Sequence, residues 1–415
     1  METLPSPLLI EILTRLNDTS DLARCRLVST AFNHASNEVR SLTLLCSMSR
    51  YLRSRSPETK HLVTPFKTVL KNLVHRSPDF ESVSIGVDRS LGGVSFDDVE
   101  DESDDLHLTE FNFILDWLPC VSKSIKSLSI SDFWVQSCWR RSKALFLISS
   151  TCYGLVQLVI RNAWLAVDGL CLMPALTNLT LEFVRLDDED LNMINTCLPN
   201  LTQLNLMGVG GLKEPSINLS HLQTCQCLSL ENTDELVLKN CGNIQRLQLE
   251  VECLSLGFIL SMFRRCIAVE RLSLDFVRRT QIVKGVEVDQ VEFGFDILLN
   301  YFPNMRYLSL GSGAWHAMES SFRRGSFENA TGMKTLKELI AHIVVLEIDF
   351  TLAFIFSLLE KCTQLGDISL LIHSDVDLCV AGNLISTCRS KFPGVRWRWG
   401  IWKEGIKDTW VSGGI

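Results

Sequence analysis

Fifteen cysteines and eight histidines give this 415-residue chain its widest chemical repertoire. Thiolates and imidazoles bind metals, attack carbonyls and close disulfides. Their spacing argues against all three. No Cys-x-x-Cys occurs, the close pair Cys225 and Cys227 is spaced wrongly for a zinc knuckle, and no two histidines stand four apart. There is no glycine-rich phosphate loop and no Gly-x-Ser-x-Gly elbow. The sequence therefore predicts no catalytic residues, no metal site and no cofactor.

Composition narrows the class further. With 46% apolar and 21% charged residues the chain is built to fold, and a net charge of −8 argues against a dominant nucleic-acid role. The longest apolar stretch, 344–359, carries Glu347 and Asp349 and is too short to span a bilayer. The first residues lack a basic n-region and an apolar h-region, so the expectation is a nuclear or cytoplasmic protein with reduced thiols and no membrane partner.

The cysteines acquire a meaning once the elements that position them are sought. One phrase recurs: Cys152-x-x-Leu155-x-x-Leu158-x-Ile160, with copies beginning at Cys241, Cys266 and Cys362. The same apolar frame without cysteine runs through Ile125-Leu128-Ile130, Leu176-Leu179-Leu181, Leu201-Leu204-Leu206 and Met305-Leu308-Leu310. Weaker copies occur at Val39-Leu42-Leu44, Phe80-Val83-Ile85 and Leu336-Leu339-Ala341. The last two apolar residues of each phrase share one face of a short strand. From Leu158 onward equivalent leucines follow at 21, 25, 24, 19, 25, 36, 31 and 29 residues, taking Leu228 as one of them.

That period resembles the leucine-rich repeat, in which one strand and one helix cannot bury both apolar faces and neighbours stack into a solenoid. Helical stretches such as 354–360 and 258–264 precede the phrases. Each repeat cysteine falls where a helix ends against its neighbour, which predicts buried packing thiols. Between 206 and 256 apolar pairs come too fast for helices: Leu228-Leu230, Leu236-Leu238, Leu247-Leu249 and Leu254-Leu256. This part is expected to be β-rich, with tight turns at Glu231-Asn232 and 240–243.

The N-terminus departs from the repeat. Leu4-Pro5-x-x-Leu8-Leu9-x-Glu11-Ile12-Leu13-x-x-Leu16 is followed by Asp21-Leu22-x-x-Cys25-x-x-Val28-Ser29-x-x-Phe32. The spacing predicts short helices, too small for an independent core, with apolar surface left for a partner. This string resembles the F-box, with Phe32 where that family commonly has tryptophan. With the repeats behind it the chain resembles the F-box/LRR substrate receptors, especially those of plants.

The resemblance implies an α/β protein: a three-helix F-box over 1–47, then a leucine-rich-repeat solenoid with parallel strands on the concave side and helices outside, locally irregular. The expected divisions are a linker and irregular first repeats over 48–124, an acidic loop at 97–105, repeats over 125–394 and a tryptophan-rich cap over 395–415. It also implies a non-catalytic receptor of an SCF ubiquitin ligase. Leu4, Pro5, Leu8, Leu9, Ile12, Leu13, Val28 and Phe32 would bind the Skp1 adaptor, and through it cullin and RING, or support that contact. Two other readings stay open: a repeat scaffold whose N-terminal segment only caps the array, and a small-hormone co-receptor.

Residues beside the leucines project to the concave side and constitute the expected protein-binding face. They include Ser127, Ser129, Asn178, Thr180, Glu182, Met207, Ser309, Glu338 and His342. Within that face Gln203, Asn205, Arg246, Gln248, Arg271, Ser273 and Tyr307 are the candidate substrate contacts. Arg246 and Arg271 are too few for the ring of cations an inositol phosphate demands, and Glu250 and Asp275 are expected to pair with them. The stretch 97–105 is expected to be a solvated loop, and Arg50-x-x-Arg53-x-Arg55 a solvated linker. At the end of the chain Val395, Trp397, Trp399 and Ile401 alternate as a strand whose rings would cover the last repeat, followed by Trp402 and Trp410.

Overall fold

In the computed structural model, which describes residues 4–15, 24–25, 27–76, 79–88, 104–137, 139–230, 233, 236–252, 263, 266–277, 293–325 and 333–411, the recurring phrase forms parallel strands held in register. The chain divides into two compact units, Met1–Leu212 and Lys213–Ile415. In the first, β1 (Ser41–Cys46), β2 (Ser82–Val87), β3 (Ser127–Ser131), β5 (Gln157–Leu165), β6 (Asn178–Arg185) and β7 (Gln203–Met207) lie side by side, with β4 (Arg141–Ser142) on the far end of β5. Leu42, Val83, Leu128, Leu158, Leu179 and Leu204 occupy one registered row.

The second unit contains β9 (Thr224–Leu230), β11 (Arg246–Glu252), β12 (Arg271–Val277), β13 (Tyr307–Leu310), β14 (Glu338–Ile343), β15 (Asp367–His373) and β16 (Arg396–Lys403) in the same parallel arrangement. β17 (Ile406–Trp410) returns antiparallel to β16. Strands β8 (Ser216–Asn218) and β10 (Val237–Lys239) form a small parallel sheet of their own.

Repeat length decides what lies behind the strands, because a parallel neighbour needs a crossover connection. Intervals of 29 residues or more hold full helices, Ser312–Arg323, Ile348–Lys361 and Leu378–Lys391. The 25-residue interval after Leu179 holds the shorter Asp188–Cys197, opened by a capping box from Asp187 and Asp190. The 21 residues after Leu158 carry no helix, only the buried Leu170, Met173 and Leu176 in irregular chain. Between β8 and β11 the chain alternates between the main strands and the small sheet, so a short strand does there what a helix does elsewhere.

This region holds a repeat that leucine counting misses. Cys225 and Cys227 are fully buried and register with Leu247 and Leu249, so the local phrase is Leu222-x-x-Cys225-x-Cys227. The true intervals on either side are 21 and 22 residues, not the 24 and 19 obtained from Leu228. The error arises because a buried thiol can take a leucine's place in the core. The turn at Glu231-Asn232, the Leu254-Leu256 pair and the stretch 258–264 apart from Phe263 lie outside the described residues.

The repeat cysteines are packing groups. Cys152 and Cys362 each stand at the C-cap of a helix, and Cys152, Cys241, Cys266 and Cys362 are all buried free thiols. Burial pushes Cys152 and Cys241 up to about 11, and Cys266 and Cys362 up to about 12. Contact with the Cys227 sulfur 3.8 Å away and then burial push Cys225 well above the usual thiol range. A thiol reagent such as Ellman's should therefore modify exposed Cys120 and Cys379 in the native protein first. The repeat cysteines should react only on denaturation; rapid native reaction at Cys152 or Cys362 would refute this packing.

A second periodic feature is conformational. Asn162, Phe183, Gly208 and Ser229, each four residues after the first inward residue of its strand, all have φ between 51° and 59°. The left-handed residue shifts the pleat, so Ala163, Val184, Val209 and Leu230 turn inward after it. A Cβ on Gly208 would lie 2.6 Å from Cδ1 of Phe183. Gly208→Val combines that clash with an unfavourable φ and should cost about 2 kcal/mol or more, read by denaturant unfolding.

Two sequence expectations fail through local packing. Arg50, Arg53 and Arg55 are not on a solvated linker but in the helix Met48–Arg55: Arg50 donates to the Thr64 carbonyl, and Arg55 stacks over Tyr51 at 4.1 Å. The acidic stretch is anchored at its end. Asp105 accepts the backbone N–H groups of Phe66 (2.7 Å) and Lys67 (3.1 Å), stabilising the start of the helix Phe66–Arg76, while Asp104 pairs with Arg140. Residues 97–103 lie outside the described residues.

At the C-terminus the alternation changes phase at Gly400. Trp399 is buried and stacks on Trp397, but Ile401 is exposed and Trp402 is buried in its place. The register shift between Ile401 and Lys403 in the pairing with β17 turns the strand over. Trp402 then lies edge-on to the rings of His342 and His373 and donates its Nε1–H to the Ile343 carbonyl. The edge of β16 is covered by β17, a strand, as well as by rings.

Candidate functional site

The N-terminal candidate surface is built on two short helices. Ser6–Thr14 starts after Pro5 with Pro7 in its first turn, and Thr30–Asn37 is capped by Ser29, whose hydroxyl accepts from the Phe32 N–H at 3.2 Å. Leu9 and Leu13, each 2% exposed, pack against Ala35 and Val39, with Ile10, Cys25, Ala31 and Phe32 around them. These inward residues use one stripe of the first helix. Leu4, Leu8 and Ile12 form another stripe that meets solvent, Leu8 at 48% and Ile12 at 47% exposure. Leu27 at 88% and Val28 at 66% add to the exposed apolar surface from the chain before the second helix.

Of the eight predicted adaptor residues, then, Leu4, Pro5, Leu8, Ile12 and Val28 are exposed, Leu9 and Leu13 are core, and Phe32 is half-buried. Leu27 is a further exposed apolar residue on this surface, beyond those eight. Its position beside Val28 was the signal, but periodicity alone does not say which of two adjacent apolar residues faces out. Leu16, Asp21 and Leu22 of the N-terminal string lie outside the described residues.

A model of the F-box-like family matches residues 1–42, the segment that holds both helices and ends as β1 begins. An F-box/LRR-repeat protein of Arabidopsis thaliana is 43% identical over 450 residues, covering 99% of this chain and all of that relative. The chain belongs to the F-box/LRR-repeat family. Its mixed α/β architecture is a helical F-box region followed by parallel leucine-rich repeats.

The second candidate surface of this F-box/LRR-repeat protein is the face of the strands turned away from the buried leucines. In the first unit Gln203 registers with Asn178, and Asn205 with Thr180, whose hydroxyl Oγ1 accepts from Asn205 Nδ2 at 3.0 Å. Asn205 is buried, and its Oδ1 finds no partner among the described residues. Arg161 and Glu182 pair on neighbouring strands nearby.

The other five candidates are in the second unit, and the structure brings them together in two adjoining rows. Arg246, Arg271 and Tyr307 are register partners, and the row continues through Glu338, Asp367 and Arg396. Gln248 and Ser273 sit side by side in the next row, where Gln248 Oε1 accepts from Gln226 Nε2 at 3.0 Å. The guanidinium of Arg271 stacks over Tyr307, 3.8 Å from the ring centroid.

The ion pairs expected for the two arginines do not form. Glu250 accepts from the Ser229 hydroxyl at 2.9 Å. Asp275 accepts the backbone N–H groups of Phe276 and Gly313, at 2.9 and 3.1 Å, and so serves the first turn of the helix Ser312–Arg323. Both carboxylates lie four residues beyond the arginine on the same strand, and backbone and hydroxyl donors reach them first. Among the described residues no group of three or more His, Cys, Asp or Glu is placed to hold a metal ion, and no helix is long and apolar enough to cross a membrane.

Proposed function

We propose that this F-box/LRR-repeat protein is the substrate-recognition subunit of an SCF ubiquitin ligase, acting in the nucleus or cytoplasm. The N-terminal helices dock on a Skp1-like adaptor and through it on cullin and RING, while the strand face holds a protein for ubiquitination and degradation. The family's members are generally non-catalytic adaptors, and the mechanism needs no catalytic group on this chain. Holding a substrate lysine near a charged E2 raises its effective concentration.

One observation carries the reading. Leu9 and Leu13 already satisfy the small core, so the stripe of Leu4, Leu8 and Ile12, with Leu27 and Val28, is apolar surface without an internal use among the described residues. A solenoid cap would turn polar residues outward at these positions. The test is association of the full chain with a purified Skp1-type adaptor on a sizing column. Co-elution at micromolar concentration is expected; separate elution under gentle conditions would overturn the assignment.

A further inference from the structure

The row Arg246, Arg271, Tyr307, Glu338, Asp367, Arg396 crosses six neighbouring strands. Its far end is neutralised, because Arg396 bonds Asp367. Its near end is not. Arg246 and Arg271 stand directly opposite each other on adjacent strands, an arrangement that is destabilising for like charges. Among the described residues no carboxylate pairs with either one, and Glu338 likewise has no ion-pair partner there. Tyr307 separates the two signs and stacks on Arg271.

We infer that this row reads an extended, oppositely charged peptide segment: an acidic residue or phosphoresidue over Arg246 and Arg271, and a basic residue over Glu338, three or four positions apart. The spacing follows from sheet geometry. Strands lie about 4.8 Å apart, so the middle of the arginine pair and Glu338 are separated by about 12 Å. An extended chain rises about 3.3 Å per residue, and three to four residues span that distance. A guanidinium pair takes the anion with charge-assisted hydrogen bonds, and the Arg271–Tyr307 stack holds one of the two donors in place.

This inference rests on the strand face being the substrate surface. It is tested with the full-length protein bound to its Skp1-type adaptor, on arrayed 13-residue glycine-serine peptides carrying one glutamate and one lysine at separations of one to six, in both orders. A parallel set with phosphoserine in place of glutamate distinguishes phosphate from carboxylate as the anion. Retention at separations of three or four is expected to exceed that at one or six by about fivefold in at least one set. Arg246→Glu with Arg271→Glu should abolish that preference, and so should Glu338→Lys alone, which sets a cation against the peptide lysine. Retention independent of spacing, or a spacing preference unchanged in these variants, overturns the inference. Adaptor binding by the same preparations shows whether the failure is confined to the peptide row or reaches the receptor assignment, and circular dichroism confirms that each variant folds.

Discussion

Leu8→Asp combined with Ile12→Asp should weaken binding of the Skp1-type adaptor by at least about 100-fold while leaving the melting temperature within about 2 °C of the wild type. Both side chains are half exposed in the free chain, so replacing them removes little internal packing. In the complex each leucine or isoleucine would bury apolar area contributing about 1.5 kcal/mol or more, and two carboxylates would have to be desolvated instead. A loss of about 3 kcal/mol corresponds to a little over 100-fold in affinity. Leu9→Asp is the informative contrast. Leu9 is core, so this change should melt the N-terminal cluster and lose binding through unfolding, seen as a lost helical signal. Titration calorimetry beside circular dichroism separates the two outcomes. Unaltered affinity in the double variant would show that the exposed stripe is not the adaptor surface.

Asp132→Ala should destabilise the first unit by about 3–5 kcal/mol. The carboxylate is completely buried after β3, where it accepts the backbone N–H groups of Leu108 (2.7 Å), Thr109 (3.0 Å) and Phe133 (3.1 Å) and the hydroxyl of Thr109. It thereby ties the segment before the helix Phe111–Val121 to the strand ends. Its own peptide is held as well, its N–H donating to the Arg161 carbonyl and its carbonyl accepting from Asn162 Nδ2. Removing the carboxylate strands the buried N–H groups of Leu108 and Thr109, each costing about 1–3 kcal/mol, and takes a partner from the Thr109 hydroxyl, while the Phe133 N–H keeps its bond to the Leu106 carbonyl. Denaturant unfolding with fluorescence detection would measure the loss; a change below about 1 kcal/mol would refute the role.

Titration gives an independent readout of the same group. Burial pushes the Asp132 carboxyl up to about 6 from its ordinary 3.8, and the four hydrogen bonds oppose that rise without cancelling it. The folded state therefore holds a proton that the unfolded chain has already released. The stability from this proton is complete below about pH 4 and is lost as the pH rises through about 6. Measured as the difference from Asp132→Asn, which cannot titrate, wild-type unfolding free energy should fall between pH 4 and 6 by an amount on the order of 2–3 kcal/mol. A flat difference would contradict a raised carboxyl.

The row from Arg246 to Arg396 shows how surface chemistry depends on register. Arg246 and Arg271 were recognisable as outward residues from alternation, and Glu250 and Asp275 looked like their partners because they share the same strands and face. The carboxylates were instead taken by Ser229 and by the start of a helix at Gly313, 38 residues from Asp275 in sequence. Likewise Trp402 displaced Ile401 from the interior because an irregular pairing with β17 reversed the pleat.

The amino-acid sequence by itself determined most of the repeat strands and their parallel arrangement, the buried fate of Cys152, Cys241, Cys266 and Cys362, and the apolar helical segment at the start. Each of these follows from local periodicity: apolar residues two apart make one strand face, and copies of one phrase can stack only in the same phase. Tertiary structure alone decided that Cys225 and Cys227 stand in for leucines, that Asp132 clamps a distant segment, that Leu8 and Ile12 face out where Leu9 and Leu13 face in, and that Arg246 and Arg271 have no carboxylate partner among the described residues. Those outcomes depend on which of several competing donors, faces or volumes lies nearest once the repeats stack. Neighbours far apart in sequence settle that competition, and no spacing along the chain encodes them.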